Sequence, residues 1–283
     1  MDDLLRARLR LSDSANLRLK ALRMTLQTLD RLHRGLTGQP FFAIRETEEI
    51  LIELDGRQGT DLIDALMTRN GGTTITPKGL DHVPASGPVI IGTTHPVGTF
   101  DFIAHAGALL DHRPDLKVVA NREAARFLGE DRIVPVDLNR QDKVLGPRKT
   151  MAGMARHLKD GGALLVFGSG RVADSRKGLL FEPPWRMGIT RVSAETGVSI
   201  VPASADVRNS ALYYRTRRTF QILSGGNEYI GREVASLRYV SELLAKLGGS
   251  YDVHYGPAVA AGTAPERLKA LAEGLVPGLY RPA

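Results

Sequence analysis

The sequence predicts an α/β fold in which a mixed, largely parallel β-sheet is flanked by helices and preceded by an N-terminal helical extension. Beyond residue 72, short segments rich in β-forming residues alternate with segments of helical periodicity, as in an α/β sandwich. Residues 1–70 show helical spacing, and Gly71 and Gly72 then form a candidate joint. We therefore expect a helical segment over residues 1–70 and an α/β domain over residues 71–283.

Each predicted strand is a short apolar run, and most of these runs end near Gly, Pro, Asn or Asp, the residues typical of turns. Each predicted helix carries enough apolar residues at helical spacing to pack on a sheet. Two of these helices have proline in the first turn, where it is well tolerated. The predicted strands are residues 73–76, 89–92, 116–120, 132–136, 163–167, 198–203 and 251–255. The predicted helices are residues 102–110, 147–159, 185–196 and 265–274.

The composition excludes several classes of protein. The 283 residues include no cysteine, which rules out disulfides, thiolate metal sites and a cysteine nucleophile. No run approaches the ~20 consecutive apolar residues that span a bilayer, and the first residues lack the apolar block of a secretory signal. Basic residues are scattered and aromatic residues make up only 6%, so nucleic-acid binding is not expected. We expect a cytoplasmic protein, either soluble or bound peripherally to the membrane surface.

Part of the net charge of +7 is concentrated near the N-terminus. Residues 1–40 hold eight Lys or Arg against four Asp, whereas residues 41–70 hold three Arg against seven Asp or Glu. The basic residues alternate with leucines at helical spacing, a pattern that suits an apolar stripe on a membrane with cations on anionic headgroups. A helix packed on the rest of the protein, with solvated arginines, is the alternative. The residues concerned are Leu19, Leu22, Leu26 and Leu29, with Arg18, Lys20, Arg23 and Arg31.

The first candidate site joins His95 to Asp101, six positions later. A short buried strand precedes His95 and delivers it to the carboxyl edge of the sheet, where open α/β folds bind their ligands. Asp101 lies near the start of the next predicted helix, close enough to orient the imidazole. Such a pair suits removal of a proton from a hydroxyl. A buried, hydrogen-bonded histidine beside a helix-capping aspartate is the alternative.

The second candidate site is the loop that follows the predicted strand 163–167. Its glycine amides, together with Arg171, are suited to holding an anion or a developing oxyanion. The loop lacks the lysine and the spacing of a nucleotide-binding P-loop. Phe167 stands where a hydrolase nucleophile elbow around Ser169 needs glycine. An ordinary strand-to-loop turn remains the alternative.

A third segment, residues 201–210, leaves another predicted strand and brings polar groups to the same sheet edge. Three further arginines follow it, at positions 215, 217 and 218. This basic cluster suits a phosphate-bearing substrate or a membrane surface, and a solvated basic face is the alternative.

In this order, the loops resemble the glycerolipid acyltransferase superfamily, the PlsC-like enzymes that transfer an acyl chain to the hydroxyl of a lysolipid. Residues 84–91 leading to His95 are similar to the first block of that family, residues 161–170 to the third, and residues 201–202 with 208–210 to the fourth. Residues 183–185 and 251–257 resemble the hemolysin-like, ornithine-lipid branch.

Two departures from the family pattern stand out. Five residues separate His95 from Asp101, where the commonest family motif has four. The third block reads Phe-Gly-Ser-Gly-Arg over residues 167–171 and lacks the usual Pro and Glu, which bears on recognition of a glycerol phosphate.

The resemblance implies a glycerolipid acyltransferase-like fold and direct acyl transfer with His95 as general base and Asp101 as its orienting partner. It implies an acyl thioester of acyl-carrier protein or coenzyme A as donor, a lysolipid acceptor and contact with the membrane surface, with no metal and no bound cofactor. Arg140 is a second candidate for the basic position of the second block, beside Arg122. The implied substrate-binding residues are Arg122, Gly168, Ser169, Gly170, Arg171 and Arg208.

Two other functions remain open at this point. A non-catalytic module that binds lipid or acyl-carrier protein fits the altered third block. A serine hydrolase that uses Ser169 requires His95 and Asp101 beside that hydroxyl.

Overall fold

The computed structural model describes residues 6, 12, 14, 16–121, 124–125, 129–136 and 145–281. Short 3₁₀ turns occur at residues 69–71, 80–82 and 130–132. The helices described are α1 (Asn16–Thr37), α2 (Ile44–Glu53), α3 (Gly59–Met67), α4 (Thr99–Leu109), α5 (Leu145–Lys159), α6 (Met187–Thr196), α7 (Ala211–Leu223), α8 (Glu228–Ser236), α9 (Tyr239–Leu244) and α10 (Pro265–Gly274). The strands described are β1 (Thr74–Lys78), β2 (Val89–Thr93), β3 (Lys117–Asn121), β4 (Ile133–Val136), β5 (Ala163–Phe167), β6 (Asp174–Arg176), β7 (Leu179–Phe181), β8 (Ile200–Ala205) and β9 (Ser250–Tyr255).

The chain divides into two compact units. The helical unit comprises residues 1–56 and 209–247 and holds α1, α2, α7, α8 and α9, whereas the α/β unit comprises residues 57–208 and 248–283 and holds every described strand. Residues 57–70 thus group with the strands, and residues 209–247 group with the N-terminal helices. The predicted division into domains after residue 70 stays a prediction.

A seven-stranded sheet forms the centre of the α/β unit, in the order β1-β9-β8-β2-β5-β3-β4. Neighbouring strands are parallel except for β8 and β9, which pair antiparallel. Helices pack against this sheet, so the predicted α/β class with a mixed, largely parallel sheet is confirmed. All five residues of the central strand β2 are buried, as a strand covered on both faces requires.

The seven strands of this sheet lie within two residues of their predicted positions, but a second, two-stranded sheet of β6 and β7 was not predicted. Its strands have three residues each and carry no apolar alternation long enough to be recognised. The C-terminal segment extends this hairpin, because the Leu180 N–H donates to the Leu279 carbonyl and the Arg281 N–H donates to the Leu180 carbonyl. Helices α7, α8 and α9 were also not predicted, since their region was interpreted only as a basic cluster.

In the helical unit, α1 buries Leu19 and Leu26 against Phe42, which precedes α2, and Ile44, the first residue of α2. The Asp30 carboxylate accepts hydrogen bonds from the N–H groups of Phe42 and Ile44 and so holds this segment on α1. A membrane-facing role for the stripe that contains Leu19 and Leu26 is therefore wrong, because both side chains belong to the core of the unit. None of the described helices has the length and hydropathy needed to cross a membrane.

Candidate functional site

The loop between β2 and α4 and the first turn of α4 carry His95 and Asp101, respectively. Strand β2 ends at Thr93, and α4 begins at Thr99, so His95 lies in the loop and Asp101 in the first turn of the helix. Gly98 precedes the helix with φ 115° and ψ −119°, a conformation open only to glycine. The turn brings the Asp101 carboxylate back over the loop, as the sequence analysis expected.

The Asp101 carboxylate is fully buried and receives three hydrogen bonds on one oxygen. Its Oδ2 accepts from His95 Nδ1 at 2.7 Å and from the N–H groups of Val97 and Gly98, each at 2.9 Å. Main-chain donors at a helix N-terminus stabilise a carboxylate, so Asp101 is held as an anion in a fixed orientation. A carboxylate at Nδ1 places the basic lone pair of a neutral imidazole on Nε2.

The imidazole of His95 has one side open. Its side chain is 17% exposed, and the ring lies 4.3 Å from the ring of Phe167, measured between centroids. Within the part of the chain that the structure describes, Nε2 has no hydrogen-bond partner. His95 thus combines an anchored Nδ1 with a free, solvent-accessible Nε2, the arrangement that a general base requires.

A second histidine, which the sequence analysis missed, lies behind the first. His105 is fully buried on α4, with Nε2 2.9 Å from Thr93 Oγ1 and Nδ1 3.2 Å from the Tyr255 hydroxyl. Burial is the main cause that lowers the pKa of His105 to about 4; the Asp101 carboxylate opposes this shift and the nearby His95 makes a smaller contribution to it. His105 is therefore neutral at neutral pH and connects α4 to β2 and β9.

The glycine loop after β5 lies beside His95, but most of its amide N–H groups already donate hydrogen bonds to other groups of the protein. The Gly168 N–H donates to the Thr93 carbonyl and the Gly170 N–H donates to the Phe167 carbonyl, each at 3.0 Å. Neither amide is free to bind an oxyanion in this structure, contrary to the expectation from sequence. Among the described residues, the N–H of Ser169 has no partner and is the remaining donor of this turn.

Gly168 is constrained by the residue that packs on it. A side chain at this position would place its Cβ 2.0 Å from the Trp185 indole, so the close contact between loop and indole requires glycine. Substrate binding by Gly168, Ser169 and Gly170 stays a prediction.

The Ser169 hydroxyl is buried and serves the turn itself. Its Oγ donates to the Arg171 carbonyl at 2.8 Å and accepts from the Arg171 N–H at 3.1 Å. The described residues show no hydrogen bond between this hydroxyl and His95. The serine hydrolase alternative, which needs that contact, therefore has no support from the geometry.

The predicted basic residues are dispersed. Arg171 is exposed at the end of the glycine loop, and Arg208 donates from Nη1 to the Gly178 carbonyl in the turn between β6 and β7, at 2.9 Å. Among the described residues, no hydrogen bond joins either guanidinium to His95. Arg122 and Arg140 lie outside the described residues.

A buried carboxyl that the sequence analysis also missed lies against the main chain of His95. Glu182 follows β7, is 1% exposed, and accepts on Oε2 from the His95 N–H at 3.3 Å. Burial, with smaller contributions from the carboxylates of Glu273 and Asp101, raises the pKa of Glu182 to about 8, although the nearby Ser169 hydroxyl and the hydrogen bond from the His95 N–H oppose the rise. At neutral pH this carboxyl is mainly uncharged.

Three buried hydroxyls form a network next to His95. The Tyr280 hydroxyl donates to Thr94 Oγ1 at 2.8 Å, and Ser204 Oγ lies 2.9 Å from Thr94 Oγ1 and 3.4 Å from the Tyr280 oxygen. Burial and the nearby Glu182 raise the pKa of Tyr280 well above its usual value, so the phenol stays protonated. This network joins the ends of β2 and β8 to the C-terminal segment.

The described residues hold no group of three or more His, Asp or Glu side chains that could bind a metal ion.

Comparison with known proteins gives little. No protein-family model matches the sequence, and no curated protein matches it significantly. Among solved structures, the α/β chain is similar to the crystal structure of the 1-acyl-sn-glycerophosphate (LPA) acyltransferase PlsC from Thermotoga maritima, with a TM-score of 0.43 and 12% identity over 90% of this chain and 94% of that chain. Similarity at this level is too low to assign a family or an activity.

Proposed function

We propose that the protein is an acyltransferase that moves a fatty acyl group from an acyl thioester to the hydroxyl of a lysolipid-type acceptor. The observation that supports this proposal is the His95–Asp101 pair, in which a buried carboxylate 2.7 Å from Nδ1 leaves Nε2 free. The order of sequence blocks that resemble the glycerolipid acyltransferases is consistent with it.

In this mechanism Nε2 of His95 takes the proton of the acceptor hydroxyl while the oxygen attacks the thioester carbonyl. The C–S bond breaks when the tetrahedral intermediate collapses, and the thiolate leaves with the proton that His95 returns. Asp101 fixes the neutral tautomer and stabilises the imidazolium as it forms. No acyl-enzyme is needed, so no serine has to act as a nucleophile.

The negative charge on the thioester oxygen needs a donor. Because the Gly168 and Gly170 amides already donate to the carbonyls of Thr93 and Phe167, the N–H of Ser169 is the candidate donor in this loop. Arg171 is exposed next to it and is the candidate to meet the negative charge of a substrate headgroup.

We also propose which donor and which acceptor the protein uses. Acyl-carrier protein or coenzyme A carries the acyl group, and the acceptor belongs to the ornithine-lipid type, because the third block lacks the family's usual Pro and Glu and residues 183–185 and 251–257 resemble that branch. We place the reaction on the cytoplasmic face of the membrane, where both kinds of donor are present.

An acceptor panel tests the function directly. Purified protein is incubated with labelled acyl thioesters of acyl-carrier protein and coenzyme A and with lysolipids of different headgroup, including lyso-ornithine lipid and lysophosphatidic acid, and the products are identified by mass analysis. We expect a diacyl product from at least one pair, with lyso-ornithine lipid preferred to lysophosphatidic acid. Binding of a lysolipid or of acyl-carrier protein without any transfer would favour the non-catalytic module.

We further propose that the helical unit binds the membrane surface through the outer face of α1. Five large apolar side chains on this helix are exposed, including Leu17 at 84% and Leu36 at 86%. Exposed cations flank them, whereas Arg23 and Arg34 are paired with Glu48 and Glu46 within the unit. An apolar face with exposed cations at its margins suits an anionic lipid surface. The apolar side chains are Leu17, Met24, Leu29, Leu32 and Leu36, and the flanking cations are Arg18, Lys20 and Arg31.

The double variant Met24→Glu/Leu32→Glu tests the membrane contact. We expect its partition into vesicles of phosphatidylglycerol and phosphatidylcholine to fall at least about tenfold, because two apolar side chains no longer leave water. Flotation of the vesicles measures bound protein, and binding of the unaltered protein should fall as salt rises. Leu271→Glu changes an exposed leucine of the α/β unit and is the matched control. Equal flotation of the double variant and the unaltered protein would refute the contact.

A further inference from the structure

Glu182 is a buried ionisable residue whose carboxyl contacts the main chain of His95, the proposed base. The proposed mechanism does not use this carboxyl. It accepts on Oε2 from the His95 N–H, while its Oε1 has no hydrogen-bond partner in the part of the chain that the structure describes. Glu182 is followed by two prolines, which limit the freedom of the segment that carries it. Both the N–H and the carbonyl of Leu180, two residues earlier, are hydrogen-bonded to the C-terminal segment. The carboxyl is thus delivered to His95 by a segment that is fixed at both ends.

We propose that Glu182 is a positioning residue for His95: as an uncharged carboxylic acid it holds the His95 main chain and keeps a second negative charge away from the His95–Asp101 pair. This inference rests on the proposed role of His95 as general base. It assigns two different states to two buried carboxyls that are close together. Asp101 has three donors on one oxygen and is suited to be an anion, whereas Glu182 has one long main-chain donor at 3.3 Å and is suited to be neutral.

The groups that face Glu182 agree with this assignment. Asp101 in the first turn of α4 and Glu273 on α10 are both carboxyls and disfavour a further negative charge there. Tyr280 from the C-terminal segment and Ser169 from the glycine loop offer hydroxyls but no positive charge. Burial, with smaller contributions from Glu273 and Asp101, raises the pKa of Glu182 to about 8, whereas Ser169 and the His95 N–H oppose the rise. A protein that works near neutral pH therefore keeps this carboxyl protonated.

Ionisation of Glu182 should disturb the base. A carboxylate buried beside Asp101 and Glu273 draws in water or moves away from them, and the His95 main chain then loses the group that holds it. We expect acyl transfer to fall as pH rises through about 8, giving an alkaline limb in the pH profile of kcat/KM.

The variant Glu182→Gln separates the charge of the side chain from its shape. Glutamine presents the same carbonyl oxygen to the His95 N–H and cannot ionise, so the alkaline limb should disappear while the rate at pH 7 stays within about threefold. Glu182→Ala removes the acceptor and should lower kcat about tenfold to a hundredfold at every pH with little change in KM, because the imidazole loses its position. Glu195→Gln removes an exposed carboxylate on α6 and is the control that should keep the limb. A limb that persists in Glu182→Gln, or an Ala variant with unaltered kcat, would overturn the proposal.

An NMR titration keeps the inference testable if no acyl transfer is found. The imidazole Cε1–H signal of His95, assigned by its loss in His95→Ala, should show a second inflection near pH 8 as Glu182 ionises. That inflection should be absent in Glu182→Gln and present in Glu195→Gln. Inactivity with a Glu182-dependent inflection would refute the acyltransferase function alone, whereas an inflection that survives in Glu182→Gln would refute the positioning role.

Discussion

Replacement of His95 with alanine is expected to lower kcat/KM for acyl transfer by roughly 10²–10⁴-fold, the usual contribution of a general base. The side chain makes one hydrogen bond to a protein side chain, the bond from Nδ1 to Asp101, and is partly exposed. Asp101 keeps its two main-chain donors when the imidazole is removed. The melting temperature should therefore change little, so the loss of activity would report chemistry and not unfolding.

Asp101→Asn provides the second arm of this test. All three donors bond to Oδ2, so an amide oxygen in its place still accepts from the Val97 and Gly98 N–H groups and from His95 Nδ1. The neutral amide, however, no longer stabilises the imidazolium that forms in the reaction. We expect kcat to fall, but by less than the about 10⁴-fold that the same change costs in hydrolytic triads, where it selects the wrong tautomer. His254→Ala, which removes a histidine of β9 with no side-chain hydrogen bond among the described residues, is the control. Turnover by His95→Ala at the level of His254→Ala would eliminate the proposed base.

The second large effect concerns the pH dependence of folding stability. Glu182 has a pKa of about 8 in the folded protein and 4.5 as the reference value for an exposed glutamate. Between these values the unfolded chain has lost a proton that the folded protein retains, so the stability of the folded state falls as pH rises from about 4.5 to about 8. The slope is about 1.4 kcal/mol per pH unit, and the full effect amounts to roughly 3–5 kcal/mol.

Glu182→Gln removes this dependence, because glutamine does not titrate in either state. The free energy of unfolding, measured with urea at several pH values, should therefore favour the variant increasingly between pH 5 and pH 8. The quantity to compare is the difference between the two proteins, because other groups titrate equally in both. Glu195→Gln should show no such trend. Parallel stability curves for Glu182→Gln and the unaltered protein would show that the folded protein does not hold Glu182 neutral.

The parts of the site that could be predicted from sequence are local ones. His95 and Asp101 are six positions apart, and a strand before them and a helix after them suffice to bring the side chains together. Strand β5 occupies the predicted residues, because a short apolar run between turn signals admits few other structures.

The parts that were missed depend on distant contacts. Glu182 meets His95 across 87 positions, through a hairpin of two three-residue strands that no periodicity reveals. A lone acidic residue between an apolar strand and Pro183-Pro184-Trp185 was the available signal. The glycine amides were wrongly expected to be free, because the hydrogen bonds they make depend on how the loop after β5 meets the end of β2.

The side of α1 that is covered by the rest of the unit could not be predicted from sequence, for a related reason. This helix carries leucine or methionine on several sides, and its spacing alone does not tell which side is covered. Phe42 and Ile44, which follow α1 in the sequence, cover the side of the helix that carries Leu19 and Leu26. The choice of face is thus a property of the tertiary structure.

The bond between Thr94 and Tyr280 has a consequence for biosynthesis. The two residues are 186 positions apart, and a ribosome that adds about 5–20 residues per second needs about 10–40 s to travel from one codon to the other. During that interval the nascent chain already contains His95 and Asp101 but lacks Tyr280, whose hydroxyl completes the cluster with Thr94 and Ser204. Completion of this hydroxyl cluster is therefore a late event of translation, and a chain interrupted before that tyrosine codon leaves Thr94 and Ser204 without their third partner.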